Sequence, residues 1–153
     1  MRRSRRDRVP PRVSAVRTSI DIDVPPEKVW EFVMNPANSS EWVTIHRKLN
    51  SASDGEMEQT LHMRGVNFHV HWELDECDAP RHAVWKGRGP ARSHAETEYR
   101  LTPVDGGTRF AYRNVFRPPL GPLGAVASRA IVGGLPEREA QQSLRNLKAL
   151  IER

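Results

Sequence analysis

Apolar and polar residues alternate with period two along Val16-Arg17-Thr18-Ser19-Ile20-Asp21-Ile22-Asp23-Val24, the pattern of a half-buried strand. Pro25-Pro26 stops that strand and opens a helix, because proline's fixed φ suits the first turn and its missing N–H costs nothing there. Glu27 complements the positive end of the helix dipole. Val29, Phe32 and Val33, at i, i+3 and i+4, supply one apolar face, with Trp30 at its edge. Asn35-Pro36 ends the helix, and the stretch to Trp42 reads as a turn or a second short helix.

Period two then returns for roughly 75 residues, and the turn chemistry predicts register. Gly65-Val66, read as a type II′ turn, pairs residues whose numbers sum to 131. Met63 then meets Phe68, Leu61 meets Val70, Gln59 meets Trp72 and Met57 meets Leu74, so one face is apolar on both strands. Asp105-Gly106, read as type I′, gives pairs that sum to 211. Leu101 meets Phe110, Tyr99 meets Tyr112, Thr97 meets Asn114 and Ala95 meets Phe116. The opposite face carries Glu96, Glu98, Arg100, Arg109 and Arg113. Cys77-Asp78-Ala79-Pro80 reads as a longer turn, and Ala83 to Gly87 as a further strand carrying Trp85.

A loop rich in proline and glycine follows (Pro118, Pro119, Gly121, Pro122, Gly124). Gly133-Gly134 and Pro136 are expected to kink or split the helical tail beyond it, and Gly133-Gly134 reads either as a hinge for a gate or as plain loop. Ala140, Leu144, Leu147 and Ile151 form a stripe at i, i+4, i+7 and i+11. The predicted fold class is α+β: a curved antiparallel sheet of about seven strands wrapped around a long C-terminal helix, with two short helices after the first strand. A curved sheet gripping one helix leaves a space between them. The inward phase lines it with Met57, Gln59, Leu61, Met63, Phe68, Val70, Trp72, Trp85, Thr97, Tyr99, Tyr112, Asn114 and Phe116. Apolar walls with a few orienting polar groups are what small-molecule pockets present.

Charge changes this picture only at one end. Of 24 basic and 19 acidic residues, six arginines and one aspartate fall in residues 1–12, so the remainder carries 18 of each. The net +5 therefore belongs to a tail. Residues 1–13 are expected to be a basic disordered tail and 14–153 the single domain. A neutral domain argues against specific nucleic-acid binding. The 153 residues, 37% hydrophobic, suffice for one core or one lined cavity. No apolar run approaches the roughly 20 residues of a membrane span, and no secretory pattern follows the basic start. A cytoplasmic monomer or homodimer is expected. One cysteine, Cys77, excludes an intrachain disulfide, and no nucleotide, flavin or haem signature occurs, so no cofactor is expected.

Several stretches resemble one family. They are Ser19 to Trp30 (SIDIDVPPEKVW), Trp42, Trp72 to Arg81 (WELDECDAPR), Tyr99 to Pro103 with Gly106 to Arg109, and Leu144 to Leu150. The chain resembles the START-like, helix-grip (SRPBCC) superfamily, in particular its polyketide cyclase/dehydrase and lipid-transport branch, over residues 14–153. The resemblance implies a deep hydrophobic cavity between the sheet and the C-terminal helix. It leaves function open, because members range from lipid carriers to aromatase/cyclases and ligand sensors.

Three functions follow as expectations. The first is binding of a small hydrophobic, lipid- or polyketide-like ligand by Gln59, Leu61, Phe68, Trp72, Trp85, Thr97, Tyr99, Tyr112, Asn114, Leu144 and Leu147. The second is an aromatase/cyclase-type enzyme in which Tyr99 and Tyr112 donate to substrate carbonyls; the assigned inward strands offer no Arg, His, Asp or Glu, and tyrosine ordinarily titrates near 10. The third is a protein-interaction module using the outer sheet face and the tail. On that outer face the 131 register puts His62 opposite His69, with His71 two residues on. That spacing admits a surface metal site or, more simply, solvated histidines. His46, His82 and His94 fall on other elements and are given no role.

Overall fold

The computed structural model describes residues 14–118 and 135–153. Seven strands form one antiparallel sheet: β1 (Ser14–Ile22), β2 (His46–Ser53), β3 (Glu56–Met63), β4 (Val66–Asp78), β5 (His82–Arg88), β6 (His94–Val104) and β7 (Gly107–Arg117). Their order is β1-β7-β6-β5-β4-β3-β2, so the hairpins run as a meander from β2 to β7 and β1 closes the far edge. Helix α1 (Pro26–Val33), a 3-10 turn (Pro36–Asn38) and α2 (Ser39–Trp42) connect β1 to β2, and α3 (Leu135–Ile151) packs on the sheet. The α+β expectation, with about seven strands and short helices after the first, is met. The first strand lies two residues earlier than its alternation suggested. Beyond its end, the carbonyl of Val24 accepts a hydrogen bond from Thr108 Oγ1 at 2.7 Å.

The Asp105-Gly106 hairpin has the predicted pairing, with Tyr99 opposite Tyr112 and Thr97 opposite Asn114. Asp105 and Gly106 both take positive φ (46° and 82°), as a type I′ turn requires. The first hairpin needs correction. Its turn is Arg64-Gly65, at φ 49° and 78°, and pairs sum to 129: Met63 with Val66, Leu61 with Phe68, Gln59 with Val70, Met57 with Trp72. A type I′ turn matches the right-handed twist of the strands, and Arg64 accepts the left-handed conformation that glycine alone was expected to take. The shift is even, so every side chain keeps its face. The reading of residues 77–80 as a turn is also too long: Cys77 and Asp78 still pair with Ala83 and His82.

The core has two parts. One gathers Ile22, Val29, Val33, Trp42, Leu101, Phe110, Leu144 and Leu147 beneath α1 and α3. The other centres on Val70, Trp72 and Trp85 at the β4–β5 region. Each large apolar side chain buried there contributes about 1.5–3 kcal/mol. Pro136 occupies the first turn of α3, where its missing N–H has no helical partner to lose. Gly133-Gly134 and the basic tail lie outside the described residues. Helix α3 is pinned at its middle and near its C-terminal end, since Thr44 N donates to Ser143 Oγ (3.0 Å) and Lys148 Nζ donates to the Asp21 carbonyl (2.7 Å).

Candidate functional site

A cavity of about 190 Å³ lies between the two core clusters, enclosed by the inner sheet face, α2 and α3. A single water needs about 10–15 Å³ on this measure, so the space suits an organic molecule of moderate size. Gln59, Leu61, Phe68, Trp72, Trp85, Thr97, Tyr99, Tyr112, Asn114 and Leu144 all line it, together with Met57, Met63, Val70 and Phe116. Leu147 does not. It is fully buried among the residues beneath α1 and belongs to the core, because α3 passes from cavity wall to packed interface within one turn.

Polar groups in the wall form two clusters. In the first, Asn114 Nδ2 donates to Thr97 Oγ1 at 3.0 Å and to the Tyr112 hydroxyl at 3.1 Å. Tyr99 stands beside Tyr112 with ring centroids 6.2 Å apart, and its hydroxyl makes no hydrogen bond to any described residue. Burial drives the Tyr99 phenol far above its ordinary value of 10, and Tyr112 adds to the effect. Burial also raises Tyr112, against the hydrogen bonds from Asn114 and Thr97. Both phenols therefore stay protonated at neutral pH and act as hydrogen-bonding groups, not bases. Trp42, tilted against Tyr99 at 6.2 Å, lines the same wall, and its indole N–H is buried without an acceptor among the described residues.

The second cluster was only half legible in the sequence. Trp72 Nε1 donates to Gln59 Oε1 at 3.1 Å, and Gln59 Nε2 lies 2.7 Å from His46 Nδ1. His46, given no role above, thus supports a cavity residue. Its pairing with Leu61 across β2 and β3 places it there, and β2 carried too weak an alternation to reveal that register.

Two titratable side chains line the cavity from elements other than the inward strand positions: Glu139 on α3 and the exposed His94 at the start of β6. Beside His94, the loop before β6 is unusual, with Ala91 and Arg92 both at positive φ (53° and 64°). It is held by Ser93, whose hydroxyl donates to the Pro90 carbonyl at 2.8 Å. Gly89, Pro90 and Ser93 line the cavity there, so it reaches the surface on this side.

The outer-face histidine arrangement is overturned. With pairs summing to 129, His62 faces Asn67 and lies 2.6 Å from its Oδ1, while His69 faces Thr60. His71 sits between Glu58 (3.5 Å) and Glu73 (3.6 Å). The three histidines thus never meet. Glu56, His71 and Glu73 do bring ligand atoms within 4.8 Å of one another, but Glu73 is already paired with Arg88 at 2.9 Å.

A seven-stranded curved antiparallel sheet closed by one long helix, with an apolar cavity between them, is the helix-grip fold. Residues 14–152 match the polyketide cyclase / dehydrase and lipid transport family, and the chain belongs to that family. Among solved structures it is similar to the Zhui aromatase/cyclase from a Streptomyces species (TM-score 0.75, 16% identity, 93% of this chain and 95% of that one). DR_A0006 from Deinococcus radiodurans is also similar (TM-score 0.71, 19% identity, 91% and 97%). By sequence it is 25% identical to the uncharacterized protein Rv1546 of Mycobacterium tuberculosis, over 79% of this chain and 90% of that protein. It is 22% identical to the toxin Rv0910 of the same organism, over 78% and 88%. No helix among the described residues is long and apolar enough to cross a membrane.

Proposed function

We propose that this protein binds an uncharged, largely apolar organic molecule, lipid- or polyketide-like in character, in the cavity between sheet and α3. One observation carries the reading: a hydrogen-bonding but uncharged cluster, Thr97, Tyr99, Tyr112 and Asn114, set among the apolar side chains Leu61, Phe68, Val70, Trp85 and Phe116 of the same cavity wall. A charged ligand group seated at that cluster would lose its hydration with no counter-charge among those four residues, whereas a carbonyl or hydroxyl oxygen finds donors. Native mass spectrometry of the purified protein, followed by organic extraction, tests this. A retained apolar adduct, or saturable binding of the neutral aromatic ketone prodan, is expected, and either is weakened in Asn114→Leu protein of unchanged melting temperature. No adduct and no saturable prodan binding would overturn it.

A second reading, cyclase-type catalysis, is favoured by the Tyr99 hydroxyl, which has no partner among the described residues and can donate to a substrate carbonyl, with Glu139 and His94 as titratable groups of the same cavity. Incubation with a poly-β-ketone thioester and mass detection of a ring-closed, dehydrated product tests it. The interaction-module reading gains no support from apolar surface. Among the described residues Val66, at 37% exposure, is the sole exposed large hydrophobic.

A further inference from the structure

The hydrogens of the second polar cluster can be assigned from chemistry alone. The indole Nε1 of Trp72 can only donate, so the Gln59 atom 3.1 Å from it must be the amide oxygen. Gln59 therefore turns its NH2 toward His46 Nδ1, 2.7 Å away. An NH2 group does not accept, so Nδ1 carries a lone pair and the ring proton sits on Nε2. His46 is held as the neutral imidazole. Gln59 and Trp72 are each 5% exposed, which leaves little room for water to replace either bond. The second N–H of Gln59 has no partner among the described residues, and Gln59 lines the cavity.

We propose that His46 is a pH-dependent positioning residue for the cavity: neutral, it holds Gln59 with a free N–H for a ligand oxygen, and protonated, it releases Gln59 and weakens binding. A proton on Nδ1 sets N–H against N–H. Gln59 can offer its oxygen to His46 only by aiming its NH2 at the Trp72 N–H, so one of the two bonds is lost either way. Charged neighbours do not compensate. Arg47 and Lys48 on β2, Glu41 on α2, Glu58 and His62 on β3, and the cavity groups Glu139 on α3 and His94 on β6 make no hydrogen bond or ion pair with His46. Burial lowers the His46 pKa below its ordinary 6.5, so release falls on the acid side of neutrality.

The test uses full-length protein labelled with 15N at histidine and tryptophan. At about pH 8, His46 should show an unprotonated Nδ1 and a protonated Nε2, identified by their loss in His46→Asn. On acidification the Trp72 indole signal should move with the His46 midpoint, and that movement should vanish in His46→Asn and in Gln59→Leu. A protonated Nδ1 at the alkaline end, or a Trp72 signal indifferent to both substitutions, would overturn the proposal. The binding arm rests on the cavity reading and uses prodan. Its affinity should fall about fivefold on acidification to about pH 5, the cost of one hydrogen bond, and stay constant in His46→Asn. Failure of prodan to bind at any pH refutes the cavity reading while the nitrogen spectra still decide the His46–Gln59–Trp72 coupling. Binding whose pH dependence survives in His46→Asn refutes the positioning role and leaves the cavity reading standing.

Discussion

Gly87 lies directly under the indole of Trp72: a Cβ built on Gly87 would stand 2.8 Å from Trp72 Cε3 and Cζ3 and 2.9 Å from Val70 Cγ1. The two residues are opposed across β4 and β5. The absent side chain lets the indole lie on the strand and keeps Nε1 within reach of Gln59. Gly87→Ala should destabilise the protein by about 1–3 kcal/mol through overpacking, read as a lowered denaturant midpoint. A midpoint equal to that of the parent would contradict this packing.

Removing the Tyr99 hydroxyl separates binding from folding. It has no hydrogen-bond partner among the described residues, so Tyr99→Phe should change stability by no more than about 0.5 kcal/mol. Prodan, whose emission reports donors to its carbonyl, should emit further to the blue when bound to the variant. Identical emission from both proteins would mean that Tyr99 does not meet the ligand oxygen.

Leu147 and Leu144 lie on one stripe of α3 but face different surroundings. Leu147→Ala should cost about 2–5 kcal/mol by opening a void in the core and leave prodan affinity unchanged under conditions where the variant is folded. Leu144→Ala should alter both. Calorimetry together with a binding isotherm distinguishes them, and an affinity loss in Leu147→Ala would put that residue back in the site.

Acid stability should depend on Glu98. The His82 hydrogen bond at 3.0 Å is the largest influence holding its carboxyl below the ordinary glutamate value of 4.5, with Arg100 a smaller one. A lowered folded-state pKa stabilises above the unfolded value and is lost as the pH falls through the folded one. Stability should therefore decline below pH 4.5 less steeply in Glu98→Gln than in the parent. Parallel pH profiles for the two proteins would exclude this contribution.

The alternation of β3, β4, β6 and β7 assigned Gln59, Leu61, Phe68, Trp72, Thr97, Tyr99, Tyr112 and Asn114 to the face that lines the cavity, even where the hairpin register was two residues out, whereas Val16, His94 and Ala95 were not assigned to it. The reason is that strand side chains repeat with period two, so an even slip preserves the face while changing every partner. Partners are what the histidines needed: His62 opposite His69 required pairs summing to 131, and Arg64, by adopting the left-handed conformation in the turn, set them at 129. The helical stripe likewise showed that Leu144 and Leu147 are buried but not which of them faces a void, since that depends on where the sheet curves away from α3.

Local pattern, then, determined the elements and their faces, because strand and helix periodicities and turn chemistry act between residues close in sequence. Only the tertiary structure decided that His46 reaches Gln59, that the Tyr99 hydroxyl has no hydrogen-bond partner among the described residues and that Glu139 and His94 join the cavity. Those relationships are set by sheet curvature and long-range packing, which no short stretch of sequence encodes.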